Sequence, residues 1–256
     1  PGFMLAGFYM IYIITVCYFD PTKGPRRKEE DLPPLNERVR LLKKLAAPGL
    51  IALWIMVSIY GGIATVTETA ATGALAALLI AFKRKKVNFN FLKDCLTYTL
   101  SVTGRLFWLT MGSTSLIGVF SIMGGTKYLK ELVLSLPFGA VGIILTMMFI
   151  LILLGMFMDW IGILLLTSPI FLPIIIQLGY SPVWYGVLFS LNMQIGFVSP
   201  PFGPACFYIK SVAPPNISLF DIFRGVIPFI FLQILAVTIL VLYPDIVLFL
   251  PSLLKG

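Results

Sequence analysis

Two features of the second half of the sequence could do chemistry: a lone acid and a glycine- and proline-rich interruption of an apolar run. Asp159 is the only Asp, Glu, Lys or Arg residue between positions 132 and 209. Residues 196–203 read Gly-Phe-Val-Ser-Pro-Pro-Phe-Gly. The two prolines remove two backbone donors, and the first disfavours helical backbone at Ser199. A helix that enters this motif must therefore break.

A broken helix exposes oxygen atoms that can bind a cation. Carbonyl groups before the break lose the amide donors four residues ahead, and the Ser199 hydroxyl adds another hard oxygen. Unwound backbone of this kind coordinates small cations in membrane proteins. We expect Na⁺ here, with potassium or a proton as alternatives. A proline kink with only a packing role is the alternative to any ion site.

The composition places these features in a membrane protein. Hydrophobic residues make up 59% of the chain, charged residues 12%, and histidine is absent. Because ordinary soluble domains are about a quarter charged, a water-soluble fold is excluded. Residues 132–209 can hold several helical spans of roughly 20 residues, without the alternation typical of a membrane barrel. The sequence therefore predicts an all-α membrane protein.

Asp159 is costly at membrane depth. Even a lenient insertion scale assigns a buried carboxylate at least about 2.5 kcal/mol, so such an acid is usually paired or functional. The structural alternative is that Asp159 caps the helix that follows it. The two roles are compatible, because a capping acid at a hairpin tip can organise backbone that binds an ion.

The basic residues predict the orientation of the chain rather than a nucleic-acid partner. The net charge is +8, but the basic tracts at residues 23–44 and 83–86 adjoin apolar segments, as the positive-inside rule requires. The same tracts could contact anionic lipid of the bilayer. We therefore expect a multi-pass protein of a bacterial or archaeal inner membrane. Loops 20–44, 83–94 and 210–224 would be cytoplasmic, with the C-terminus outside.

Apolar and polar segments predict the following elements. They are a span at 1–19, a cytoplasmic linker at 20–44, spans at 45–61, 64–82 and 95–123, an interfacial helix at 126–136, a hairpin at 138–178, a broken helix at 183–209 and a last span at 226–245. The first and last spans share a Pro-aromatic opening and a Tyr, Pro and Asp ending in inferred opposite directions, which an inverted repeat would give. We assign 1–19 to the end of a truncated first repeat and 45–256 to a second repeat.

The hairpin at 138–178 is predicted to be re-entrant. Its middle carries Gly155, Asp159 and Gly162 where a plain span would carry Leu or Ile. Its second arm passes through Thr167 and two prolines. Irregular backbone at membrane depth is tolerated only against protein or a water-filled cavity. The hairpin is therefore expected to face the rest of the protein.

A second polar group lies where the return helix begins. Thr65, Thr67 and Glu68 stand at this point, where the helix dipole favours an acid. A structural cap is one interpretation; a substrate contact, together with Thr167, is the other. Arg105 either snorkels to the surface or meets an anionic substrate.

An intramembrane enzyme is the least favoured class. Such chemistry needs a converging acid, base or metal cluster. The spans offer no histidine and few acids, chiefly Glu68 and Asp159, and the three cysteines lack metal-ligand spacing. A structural or assembly subunit is a further class, but it would not require an acid at a hairpin tip. We predict no enzyme activity and no cofactor besides a coupling ion.

Four blocks carry a family resemblance when taken in order: Gly-Gly-Ile-Ala-Thr-Val-Thr-Glu-Thr-Ala-Ala at 61–71, Gly-Met-Phe-Met-Asp at 155–159, Thr-Ser-Pro-Ile-Phe-Leu-Pro at 167–173 and Ile-Gly-Phe-Val-Ser-Pro-Pro-Phe-Gly at 195–203. The sequence resembles the C-terminal half to two-thirds of the large (M) subunit of tripartite ATP-independent periplasmic (TRAP) transporters. Val66 and Ser199 depart from the family, which more often has Pro and Thr there; Ser keeps the hydroxyl.

The resemblance implies an elevator-type, inverted-repeat secondary transporter of the ion transporter superfamily kind. Such a permease imports organic acids, C4-dicarboxylates among them, with a Na⁺ gradient. It works with a small four-span membrane subunit and a periplasmic substrate-binding protein. Its second sodium site would use Gly155, Asp159, Gly196, Ser199 and the Phe202 carbonyl, on backbone shaped by Pro200, Pro201 and Gly203. A binding-protein-independent, ion-coupled anion carrier is the alternative.

Overall fold

Residues 1–24, 34–201 and 203–253 are described by a computed structural model of the chain. Within these ranges the chain forms helices and no strand, which confirms the predicted all-α fold. In chain order the helices are α1 (Gly2–Phe19), α2 (Leu35–Tyr60), α3 (Val66–Lys83), α4 (Phe89–Ile122), α5 (Gly125–Leu134), α6 (Ala140–Gly155), α7 (Trp160–Gln177), α8 (Pro182–Val198), α9 (Pro204–Val212), α10 (Leu219–Leu242) and α11 (Asp245–Leu253). A 3-10 turn, Pro21–Lys23, follows α1.

Five of these helices, α1, α3, α4, α7 and α10, are long and apolar enough to cross a membrane. Many large apolar side chains point outward, including Phe3, Trp108 and Phe231. A water-soluble protein would bury most of this surface, whereas lipid tails can cover it. The helices therefore match those of a helical membrane protein.

The chain divides into two compact units, Gly24–Gly104 and the combination of Pro1–Lys23 with Arg105–Gly256. In the first unit, α2 and α3 pack against each other across a tight turn in which Gly62 has φ 64°. The Trp54 indole donates to the Thr72 hydroxyl at 3.1 Å. Gly73 lies close to the Ile55 side chain, since a Cβ atom there would lie 3.0 Å from it.

Three helices begin earlier than the sequence analysis placed them: α2, α10 and also α4, which was expected from residue 95 but begins at Phe89. The polar linker was expected to reach residue 44, but α2 begins at Leu35, because residues 35–44 are mostly Leu, Lys, Arg and Glu, which favour helix. The last span was expected to begin at 226, but α10 begins at Leu219. A capping box between Ser218 and Asp221 fixes that start inside the predicted 210–224 loop.

Helix α8 lies at the centre of the larger unit's core. Trp184, Leu188 and Ile195 are fully buried along it and pack with residues of α6 and α10. The Trp184 indole donates to the Leu240 carbonyl of α10 at 2.9 Å, which satisfies a buried polar group. This packing holds α8, whose C-terminal end carries the glycine-proline motif, in a fixed place.

Helices α1 and α10, the first and last predicted spans, pack directly on each other. The Gln233 side-chain amide donates to the Tyr9 hydroxyl at 2.7 Å. The rings of Tyr9 and Tyr12 both meet Phe229 edge to face. The first span is thus an integral part of the larger unit.

Candidate functional site

The hairpin tip is a four-residue turn between α6 and α7. Helix α6 ends at Gly155, and the turn is closed by the Met158 amide donating to the Leu154 carbonyl at 2.9 Å. No described backbone amide outside the helix donates to the Gly155 carbonyl. The α6 C-terminus therefore presents a carbonyl oxygen at the tip.

Asp159 caps α7. Its backbone is extended (φ −69°, ψ 145°), and its carboxylate accepts a hydrogen bond from the Ile161 amide at 3.2 Å. This is the structural role that the sequence analysis set beside ion binding. The carboxylate is exposed and has oxygen lone pairs beyond the one that accepts this bond, so the cap leaves ion binding open.

The predicted break ends α8 at Val198. Ser199 takes extended backbone (φ −81°, ψ 139°), and α9 begins only at Pro204. The Ser199 hydroxyl donates to the Ile195 carbonyl at 2.6 Å and is almost fully buried. Such a hydroxyl is held in place by its donor bond and still has lone pairs to offer a cation.

The Phe197 carbonyl is the oxygen that the prolines leave without a helical partner. Its possible donors three and four residues ahead are Pro200 and Pro201, and neither has an N–H group. The Gly196 carbonyl, by contrast, accepts the Ser199 amide at 3.2 Å. Sequence analysis named the motif but missed Phe197, although counting donors four residues ahead would have found it.

The hairpin tip and the broken helix meet backbone to backbone. A Cβ atom built on Gly196 would lie 2.7 Å from the Gly155 Cα and 2.8 Å from the Gly155 carbonyl oxygen. Real Cβ atoms do not approach backbone so closely, so Gly is required at position 196. The structure thus brings together two of the predicted site residues that are 41 positions apart in the chain.

A small cavity of about 20 Å³ lies beside this contact. It is large enough for one water-sized occupant. Gly155 and Asp159 line it from the hairpin tip, Phe197 from α8 and Pro204 from the start of α9; Met158, Trp160 and Met193 complete it. Asp159 and the broken helix therefore face one space, and Ser199 is not among the residues that line it.

A buried side-chain amide links α8 to α6. The Asn192 side chain is fully buried and donates to the Met148 carbonyl of α6 at 2.8 Å. Its own carbonyl oxygen has no hydrogen-bond partner among the described residues. Because this contact lies before the Gly155–Gly196 contact on both helices, α6 and α8 run in the same direction. Sequence analysis did not single out Asn192.

Gly203 takes left-handed backbone between α8 and α9 and is the N-cap residue of α9. Its φ is +30°, and a Cβ atom there would lie 2.7 Å from the Phe223 ring and 3.0 Å from the Ser199 carbonyl oxygen. A side chain would be strained in this conformation and would also clash. The peptide between Pro200 and Pro201 is cis. Phe202, the remaining predicted ligand, lies outside the described residues.

The second predicted polar group is divided between the two units. Thr65 and Glu68 form a capping box at the start of α3, in which the Glu68 carboxylate accepts from the Thr65 amide at 2.8 Å. Thr67 follows in the same turn. Thr167 belongs to the larger unit, where its hydroxyl donates to the Ile163 carbonyl at 2.8 Å. The capping interpretation of Glu68 accounts for its contacts.

The oxygen donors at the tip suit a hard monovalent cation better than a transition metal. Carbonyl, hydroxyl and carboxylate oxygens favour hard ions, whereas zinc, copper and iron favour imidazole and thiolate. The described residues hold no group of three His, Cys, Asp or Glu side chains that could bind a metal. The site offers at most one formal charge, that of Asp159.

Comparison with known proteins identifies the family. Residues 1–246 match the model of the DctM component of the tripartite ATP-independent periplasmic transporter. The chain is similar to the ectoine TRAP transporter large permease protein TeaC of Halomonas elongata, with 30% identity over 99% of the chain and 58% of the relative. It is also similar to the C4-dicarboxylate TRAP transporter large permease protein DctM of Vibrio cholerae, with 28% identity over the whole chain and 60% of the relative.

A third relative is the sialic acid TRAP transporter large permease protein SiaM of Vibrio cholerae, 26% identical over the whole chain and 58% of its own length. The chain therefore spans about three-fifths of the length of these relatives. The named relatives are transporter permeases rather than enzymes, and together with the apolar helices they indicate a multi-pass inner-membrane protein. The chain belongs to the DctM family, the large permease component of TRAP transporters.

Proposed function

We propose that this chain provides an ion site of a Na⁺-coupled permease that imports organic acids, such as C4-dicarboxylates or similar carboxylates. The observation that carries the proposal is the contact between Gly155 and Gly196 beside the 20 Å³ cavity. Two chain segments with broken helical hydrogen bonding meet there. In discontinuous helices, the carbonyl groups of such segments bind the coupling ions.

The residues that would hold Na⁺ are Gly155, Asp159, Phe197 and Ser199, with Phe202 as a further carbonyl donor. When bound there, Na⁺ would supply a positive charge that these oxygens could share. Asp159 holds the tip through its cap of α7, and the Ser199 hydroxyl is oriented by the Ile195 carbonyl. These bonds preorganise the oxygens, so less ordering is needed when an ion binds.

The partners we propose are a small four-span membrane subunit and a periplasmic substrate-binding protein, as membership of the TRAP family suggests. The relatives are named for ectoine, C4-dicarboxylate and sialic acid, so their names support more than one substrate. We propose an acid because two of these three names denote acids. We further propose an elevator movement of an inverted-repeat permease, with loops 20–44, 83–94 and 210–224 cytoplasmic and the C-terminus outside.

Reconstitution tests the proposal. The full-length permease and its small subunit would be placed in liposomes with the binding protein, and uptake of labelled C4-dicarboxylate and sialic acid measured with an inward Na⁺ or K⁺ gradient. Uptake should require Na⁺. Equal uptake in both gradients would overturn the sodium coupling, and uptake without the binding protein would favour the binding-protein-independent carrier.

A further inference from the structure

A groove between α4, α5 and α7 is lined almost entirely by apolar side chains. Its volume is 680 Å³, within the range of about 300–1,000 Å³ typical of ligand pockets. Leu116, Phe120 and Met123 line it from α4, Leu129 from α5 and Ile170 from α7. The described residues bury no residue of α4. This apolar groove is therefore open along α4.

A second groove, of 330 Å³, adjoins the first at Ile170, which lines both. This polar groove is lined by Lys127 and Lys130 of α5, with Ser121 and Thr126 beside them. The N-cap residue of α5 is Gly124, in left-handed backbone, and the described residues provide no side-chain cap there. The first amides of α5 therefore remain available to an anion.

The charges in the polar groove are not cancelled. Lys127 lies 3.9 Å from Glu131, but both side chains of this pair are mostly exposed, and such pairs contribute little. Lys130 forms no ion pair with any residue in the described ranges. It lines the groove and is only partly exposed, so its positive charge faces the space where an anion would bind.

We propose that the two grooves together bind one anionic phospholipid. Its phosphate would lie against Lys127, Lys130 and the N-terminus of α5, and an acyl chain would follow the apolar groove along α4. An amphipathic molecule fits because cationic and apolar grooves share one wall at Ile170. A soluble anion would leave the apolar groove empty, and a neutral lipid would leave the lysines without a counter-charge.

Native mass spectrometry of the full-length permease with its small subunit tests the headgroup. The detergent-purified complex would be titrated with phosphatidylglycerol, phosphatidylcholine or inorganic phosphate. We expect phosphatidylglycerol to be retained preferentially. Lys127→Ala and Lys130→Ala should each weaken its binding about fivefold, because a lysine near an anionic headgroup is worth about that factor. Lys93→Ala, an exposed lysine at the start of α4 that lines neither groove, is the matched control and should leave the binding unchanged.

The acyl-chain groove is tested by filling it. A Cβ atom on Gly112 would meet nothing within 4 Å, and Gly112 lines the apolar groove. Gly112→Phe should therefore fold and exclude the lipid. Gly104→Phe lies on the same helix with equally open space but outside the groove, and it should bind lipid normally. Retention of phosphatidylcholine or inorganic phosphate as strong as that of phosphatidylglycerol would overturn the proposal. Full binding of phosphatidylglycerol by Gly112→Phe would also overturn it.

Discussion

Gly196 lies so close to Gly155 that a methyl group on Gly196 would sit 2.7 Å from the Gly155 Cα. The reciprocal contact is less severe, because a Cβ atom on Gly155 would lie 3.1 Å from the Gly196 Cα. The atoms in the way are backbone, which cannot rotate aside. This contact joins the tip of the hairpin to the end of α8, and Gly155 also lines the 20 Å³ cavity.

The contact predicts an order of stability for three alanine variants. Gly196→Ala should lower the free energy of unfolding by about 1–3 kcal/mol, the usual cost of overpacking, and Gly155→Ala by less. Gly186→Ala, on α8 with open space around it, should raise it by up to about 1 kcal/mol because Ala favours helix. Thermal unfolding of the purified complex in detergent measures the order. Equal Tm values for the Gly196 and Gly186 variants would contradict the close approach.

Asp159 can be tested as a cap and as an ion ligand separately. Asn caps helices about as well as Asp, whereas Ala loses about 0.5–2 kcal/mol. Asp159→Asn should therefore keep its thermal stability, and Asp159→Ala should lose it. If the carboxylate binds the coupling ion, the Asn variant needs more Na⁺ for half-maximal uptake. A normal Na⁺ requirement with Asn would leave Asp159 with the capping role alone.

Asn192 should tolerate loss of its amide better than gain of a charge. Asn192→Leu removes one hydrogen bond, worth about 0.5–1.5 kcal/mol, but it also removes a buried oxygen that has no described partner. Asn192→Asp keeps the size and places a carboxylate in the same buried position, which costs several kcal/mol unless it is neutralised. The Asp variant should therefore unfold at a clearly lower temperature than the Leu variant. The reverse order would mean that an unseen cationic group faces this position.

The sequence predicted much of this architecture for reasons that particular residues make clear. Pro200 and Pro201 lack amide protons, so the end of α8 could be placed within a few residues. Hydrophobic runs predicted the remaining helices, but the starts of α2, α4 and α10 were wrong. Polar residues, and at α10 the Ser218–Asp221 capping box, extend these helices beyond their apolar parts.

Long-range contacts could not be predicted in the same way. Nothing local to Gly155 indicates that Gly196 lies against it, because the contact depends on how α6 and α8 pack; only the family resemblance placed the two residues in one site. The bond between Asn192 and Met148 is also invisible in sequence, since only the packing of the two helices decides which carbonyl a buried amide meets. The Phe197 carbonyl is different: proline chemistry alone identifies it.

Substitutions at Ser199 can show whether this residue only holds the end of α8 or also binds the ion. Its hydroxyl donates to the Ile195 carbonyl at 2.6 Å, so the same oxygen closes the end of α8 and offers lone pairs to an ion. Ser199→Ala removes both, and Ser199→Thr keeps both. The Ala variant should lose about 1 kcal/mol of stability for the missing bond and should need more Na⁺ for half-maximal uptake.

The Thr variant is the control, because its hydroxyl can make the same bond to Ile195 and its Na⁺ requirement should stay close to that of the parent protein. Uptake is measured per molecule of correctly inserted permease, which separates transport from expression. If the Ala variant loses expression and Na⁺-dependent uptake in equal proportion, Ser199 has only the structural role of holding the end of α8. If uptake per molecule falls only at low Na⁺ and recovers at high Na⁺, the hydroxyl contributes to binding the ion itself.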